Sequence, residues 1–217
     1  LARSKSSSRW LQEHFDDEYV KKAQSEGYRS RAVYKLIEID KKDKLLHHGM
    51  KVVDLGAAPG GWSQIAAKKV GVGTKTGGIV VAMDILQIDP ISGVTVLQGD
   101  FREDSVLEQL QSIVGEQMGE SKLDLVLSDM APNLSGISGV DIPKTMLLVE
   151  MAHEFAKDNL KQGGNLLMKV FQGEGFDQLI KHFSKIFRSL LPENQKHLEA
   201  VAVKYISWLK GFVKELH

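Results

Sequence analysis

Lys51 to Ser63 reads KVVDLGAAPGGWS, an apolar run that stops at an acid and breaks at once into a turn rich in glycine with one proline. No other stretch restricts the fold as much. Val52, Val53 and Leu55 are residues that fill a strand buried on both faces. Gly56, Gly60 and Gly61 then allow backbone angles and close approaches that a Cβ would block, and Trp62 to Ala67 opens a helix. A strand–glycine loop–helix of this kind can cradle a ligand with backbone groups. The spacing Gly56, Gly60, Gly61 is not the dinucleotide pattern GxGxxG, and no Lys-Ser/Thr pair follows as in a phosphate-binding loop.

Further strands are expected over Ile79–Asp84, Val94–Leu97, Leu123–Leu127 and Leu166–Phe171. Helices are expected between them, around Asp104–Val114 and over Asp141–Leu160, with Gly163-Gly164 as the stop of the latter. Strands alternating with helices predict an α/β chain, a doubly wound Rossmann-like fold with a mostly parallel sheet. With 217 residues and 42% hydrophobic content, one main domain has ample core. It is expected over residues 29–191, after a basic N-terminal arm and entry segment (1–28) and before an atypical C-terminal segment (192–217).

In such sheets ligands sit beyond the carboxyl ends of the strands. Asp54, Asp84, Asp100 and Asp129 stand at or near four successive strand ends. Any one of them could be a turn former or helix cap. Four together with a glycine loop are better explained by one bound cofactor. Asp84 is placed to accept hydrogen bonds from a ribose diol, and Asp100 suits an adenine amino group. A nucleoside without pyrophosphate fits this loop better than NAD does, and S-adenosylmethionine is such a ligand. Trp62 is expected either to close that pocket or to pack beneath it.

Lys169 is flanked by Leu166, Leu167, Met168, Val170 and Phe171, where burying an ammonium costs several kcal/mol unless it is paired. Facing Asp129, with Lys35 reaching the same spot, it would belong to a charge-coupled cluster. Lys35 and burial would lower its pKa and Asp129 would raise it. A Lys-Asp-Lys group beside a methyl donor suits attack by a ribose hydroxyl, with Lys169 as base or hydroxyl orienter. No histidines stand at metal-ligand spacing, and cysteine is absent.

Zero net charge hides a segregation: residues 1–50 carry +3, residues 51–156 carry −7 and residues 157–217 carry +4. Phosphate binding needs a local positive face rather than a positive total, so a nucleic acid stays open as partner. Arg31 and Lys35 are expected to share one face of a helix whose apolar side is Val33, Leu36 and Ile37. No apolar stretch nears the roughly 18 residues of a membrane span, and a cytoplasmic protein is expected.

The segments YRSRAVYKL, VVDLGAAPGGWSQ, LQGDF, SDMAPNLSG, VDIPK and MKVFQGEGF together resemble the FtsJ-type 2′-O-ribose methyltransferases. The resemblance covers about residues 5 to 185. It is strongest to bacterial members that methylate a uridine of large-subunit ribosomal RNA, and it implies an S-adenosylmethionine-dependent enzyme with the 50S subunit as partner and a monomeric state. By motif it implies cofactor contacts from Gly56, Gly60, Trp62, Asp84, Asp100 and Asp129. It also implies that Lys35, Asp129 and Lys169 are three members of a Lys-Asp-Lys-Glu catalytic tetrad.

The fourth member is where this chain departs. The family resembles RKPxxSRxRSREVY near its end, whereas residues 192–205 read PENQKHLEAVAVKY. Glu199 lies nearby without that context. Read from the third base of the Pro192 codon, with permitted synonymous choices, the codons to Phe212 can spell RKPKASRSRSREVYILAKGF, then an arginine and a stop. A frame error is the expected cause, and the restored glutamate codon would straddle Val203 and Lys204. An RNA-binding assembly factor with impaired catalysis is the alternative if the present tail is genuine.

Overall fold

The structure, a computed structural model, describes residues 18–119, 122–132, 135 and 137–169. The sheet is built from four short, largely apolar strands, β1 (Lys51–Leu55), β2 (Ile79–Asp84), β3 (Thr95–Gln98) and β4 (Leu123–Ser128), and from a longer β5 (Leu160–Met168) that is buried only over its last three residues. All pairings are parallel, in the order β3-β2-β1-β4-β5. The doubly wound α/β expectation is therefore met, with the strand order turning at β1.

Parallel strands need crossovers, and these cover both faces. Two short helices lead in, α1 (Glu18–Ser25) and α2 (Val33–Asp43). They are followed by α3 (Gly61–Val70) after β1, α4 (Asp104–Met118) after β3 and α5 (Ser138–Asn159) after β4. The period-2 alternation of the strands divides the core. Val52, Val80, Leu125, Leu127 and Leu167 point to one face, where Leu36 of α2 and Trp62, Ile65 and Ala66 of α3 pack. Val53, Leu55, Val81, Met83 and Val126 point to the other, against Leu110 and Val114 of α4 and Val149 and Phe155 of α5. Among the described residues no helix is long and apolar enough to cross a membrane.

Three local expectations change. α5 ends at Asn159 rather than at Gly163-Gly164, and the chain enters β5 at Leu160. The register jumps from Leu123↔Leu160 to Leu125↔Asn165, so the two glycines lie in a bulge, with Gly163 at φ +76°. The α2 helix begins at Val33, which leaves Arg31 in the preceding turn, its carbonyl accepting from the Tyr34 N–H. Arg31 and Lys35 thus do not share a helix face. The α4 helix also runs one turn longer than expected, to Met118. The arm at residues 1–17, Val170, Phe171 and the whole of 192–217, including Glu199, lie outside the described residues.

Candidate active site

Strand register alone brings the sequence-predicted acids to one edge. Leu55 is level with Met83 and Ser128, Ser128 is level with Met168, and Asp84 is level with Gln98. Gly56, Asp129 and Lys169 are therefore the next residues on three adjacent strands, with Asp84 at the neighbouring end and Asp100 two residues beyond β3. Across the sheet they run Asp100, Asp84, Asp54 with Gly56, Asp129, Lys169. One half is a row of acids around the glycine loop; the other is an acid–lysine pair.

The pair is direct. Lys169 Nζ donates to Asp129 Oδ1 at 2.5 Å, the expected partner for a lysine in an apolar strand. Both backbones are held by the sheet: the Asp129 N–H donates to the Leu55 carbonyl at 2.9 Å and the Lys169 N–H to the Ser128 carbonyl at 2.8 Å. Burial pushes the Asp129 carboxyl above its ordinary value, the Lys169 charge and hydrogen bond oppose this, and Asp84 adds to it. Lys35 projects from α2, its ammonium 3.7 Å from Glu38 and its side chain largely covered.

Asp84 is oriented by the loops it joins. Its Oδ2 accepts from the Ala58 N–H and its Oδ1 from the Leu86 N–H, each at 2.8 Å. Carboxylate oxygens carry two lone pairs apiece, which leaves capacity for a diol. Asp100 is held by a fork from Arg102, at 2.6 Å to Nη2 and 2.9 and 3.1 Å to Nε. These charge-assisted bonds hold its carboxyl below the usual range.

Asp54 has the most extreme environment of the row. It is fully buried, with Ser63 Oγ donating to its Oδ2 at 2.6 Å, and among the described residues its Oδ1 has no hydrogen-bond partner. Burial pushes its pKa up to about 7; the Ser63 bond works against this, and the charges of Asp129 and Asp84 add to it. Beyond being a strand-end acid, it is the buried anchor of the row. Its signal was the pairing of an acid at the strand's end with a serine in the first turn of the next helix.

The glycine loop is shaped by close approach. Gly56 sits at φ +71°, and a Cβ there would lie 2.6 Å from the Met130 amide nitrogen and 2.7 Å from its Cα. Backbone atoms cannot move aside as a side-chain tip can. Gly56→Ala is expected to cost about 1–3 kcal/mol of unfolding free energy, read as a lower denaturant midpoint at unchanged m-value. Trp62 takes the packing alternative: its side chain is buried, with Nε1 donating to the Ala32 carbonyl at 2.9 Å.

These residues fit S-adenosylmethionine. Gly56 lets the loop close on the Met130 backbone, Asp84 and Asp100 present acceptors at the ends of β2 and β3, and the carboxylates of Asp84 and Asp129 favour a ligand carrying positive charge. Among the described residues, no group of three or more histidines or acids is arranged to hold a metal ion.

The sequence model for FtsJ-like methyltransferases matches residues 28–194. The chain is 56% identical over 191 residues to ribosomal RNA large subunit methyltransferase E of Legionella pneumophila, spanning 88% of this chain and 89% of the relative. It is 54% identical, again over 191 residues, to the protein of that name in Cellvibrio japonicus, with 88% and 87% covered. Among solved structures, a ribosomal RNA methyltransferase of Plasmodium falciparum aligns with TM-score 0.64 at 27% identity, covering 73% of this chain and 86% of that one.

Proposed function

The chain belongs to the FtsJ-like methyltransferase family, and from that membership we propose that it methylates the 2′-hydroxyl of a uridine in 23S rRNA of the large ribosomal subunit, using S-adenosylmethionine. The observation that carries the reading is the 2.5 Å Lys169–Asp129 pair at the strand ends, next to the row of acids and the glycine loop. The relatives' names supply the class of RNA.

When bound, S-adenosylmethionine supplies a methyl group activated by its sulfonium. The chain's part is to hold, orient and deprotonate. Gly56 and Gly60 would line the loop, Trp62 would keep that loop's helix in place from beneath, and Asp84 and Asp100 would hold the ribose and the adenine amino group. Asp129 would face the donor as well as Lys169. Lys169, fixed by Asp129, takes the hydroxyl proton in its amine form, or as an ammonium donates to the hydroxyl and turns a lone pair toward the methyl. Lys35 adds positive charge from α2. Positioning of donor and acceptor carries much of the remaining barrier.

The basic N-terminal segment and the basic C-terminal region would grip rRNA phosphates, with the 50S subunit as partner. Residues 29–191 would form the methyltransferase domain of a cytoplasmic monomer. The family match ends at residue 194, close to where the codons from Pro192 can be reread, which supports a frame error. Sequencing the coding DNA checks this: codons that cannot spell RKPKASRSRSREVY in the other frame sink it.

The function is tested by transfer of labelled methyl from the cofactor to 23S rRNA or 50S subunits, with the label mapped to a ribose 2′-oxygen. The frame-corrected chain is expected to transfer. Cofactor binding without transfer by that chain would favour an RNA-binding assembly factor instead.

A further inference from the structure

Arg29 stands in the turn before α2 and reaches three separate segments. Its Nη1 donates to the Pro59 carbonyl at 3.2 Å and to the Asp89 carbonyl at 2.5 Å, and its Nη2 donates to the Pro90 carbonyl at 2.7 Å. Its backbone N–H donates to Gln64 Oε1 at 3.0 Å, and Gln64 Nε2 donates back to the Gly27 carbonyl at 3.3 Å. The entry segment is thereby bolted to α3, and the guanidinium bridges the glycine loop to the β2–β3 connection.

Those two loops bound the side of the site assigned to adenosine. Asp84 already ties them at one point through Ala58 and Leu86. Ile88 and Ile91 fill the space beneath, so close that a Cβ on Gly60 would lie 2.8 Å from Ile91 Cδ1, 3.3 Å from Ile88 Cγ2 and 3.0 Å from Arg29 Nη1. The Asp84 carboxylate has a ligand to hold. Arg29 ties the same loops through three backbone carbonyls.

We propose that Arg29 is a positioning residue for the methyl donor, setting the separation of the Pro59–Gly60 loop from the Asp89–Pro90 loop and so the width of the adenosine site. This rests on the reading of the site as one for S-adenosylmethionine. Three carbonyls on two loops demand a planar fork with several donors. A lysine keeps the charge but cannot span them. Arg29 therefore acts through geometry rather than through charge.

The test uses the full chain with Arg29→Lys and Arg29→Gln, their folding checked by thermal unfolding, and S-adenosylhomocysteine binding measured by calorimetry. Both variants are expected to bind roughly tenfold more weakly or worse, as loss of charge-assisted hydrogen bonds implies. In methyl transfer by the frame-corrected chain, KM for the cofactor rises while kcat and KM for RNA stay near wild type. Full rescue of binding by lysine overturns the proposal, because charge alone would then suffice, and a loss confined to KM for RNA overturns it and makes Arg29 a phosphate-contacting cation. Unchanged binding in both variants beside a wild type that binds overturns it for Arg29 alone. A wild type that binds no S-adenosylhomocysteine overturns the cofactor reading and this proposal with it.

Discussion

In the frame-corrected chain, Lys169→Ala is expected to lower the rate of methyl transfer about 10²- to 10⁴-fold, the range over which a positioned proton acceptor contributes. Binding of S-adenosylhomocysteine should stay within a few-fold, because the glycine loop, Asp84 and Asp100 are untouched. The substitution also strips Asp129 of the partner that holds its carboxyl down, so the Asp129 pKa climbs further. Lys169→Arg separates the two uses of the ammonium. Arginine keeps the ion pair with Asp129 but cannot give up its proton, so a rate as low as that of alanine assigns proton removal, and substantial recovery assigns orientation of the hydroxyl. Single-turnover transfer with saturating RNA makes the measurement. Full activity in Lys169→Ala would remove its proposed role.

The second large effect concerns stability rather than rate, and lies with Asp54. Its folded pKa of about 7 stands well above the ordinary 3.8. Between those values the folded protein keeps a proton that the unfolded chain has lost. The contribution to stability is therefore complete below about pH 3.8, declines as pH rises and is gone above about 7. At about 1.36 kcal/mol per unit, the decline is at most about 4 kcal/mol. Asp54→Asn cannot ionise and keeps an acceptor for Ser63 Oγ. Urea unfolding of both proteins at pH 5 and pH 8 isolates this one group from the other acids by difference. The variant is expected to gain on wild type as pH rises. A difference in unfolding free energy that is the same at both pH values would show that Asp54 does not titrate in this window.

Both effects trace to features with different visibility in the chain. The strand–loop–helix at Lys51–Val70 could be read because its signals are local: β-branched residues, glycines where a Cβ would collide, an acid at the strand's end. The alternation of such units was enough for a parallel α/β sheet, since parallel strands need crossovers and short apolar runs need cover on both faces. Lys169 was legible for an energetic reason. A lysine in an apolar run demands a partner, and Asp129 was the strand-end acid available.

Other residues carry no such local signal. Arg31 and Lys35 are four apart, which suggests a shared helix face, but α2 starts only at Val33. Gly163-Gly164 looked like a helix stop and is a bulge inside β5, because pairing with β4 pulls the chain into strand from Leu160. Trp62 next to a cofactor loop could have faced either way, and the carbonyl of Ala32, thirty residues earlier, decides it. Each depends on where a distant segment lies.

By itself, then, the sequence determined the class of fold, the place of the glycine loop and the identity of the acids and lysine that chemistry would use. These follow from residue type and short-range spacing. Only the tertiary structure decided that Ser128 is level with Met168, which sets Asp129 against Lys169, that Asp54 is wholly buried, and that Arg29 spans Pro59, Asp89 and Pro90. Register between strands forty residues apart, the depth of a side chain and the direction of a backbone carbonyl belong to packing, and backbone carbonyls look alike in every sequence.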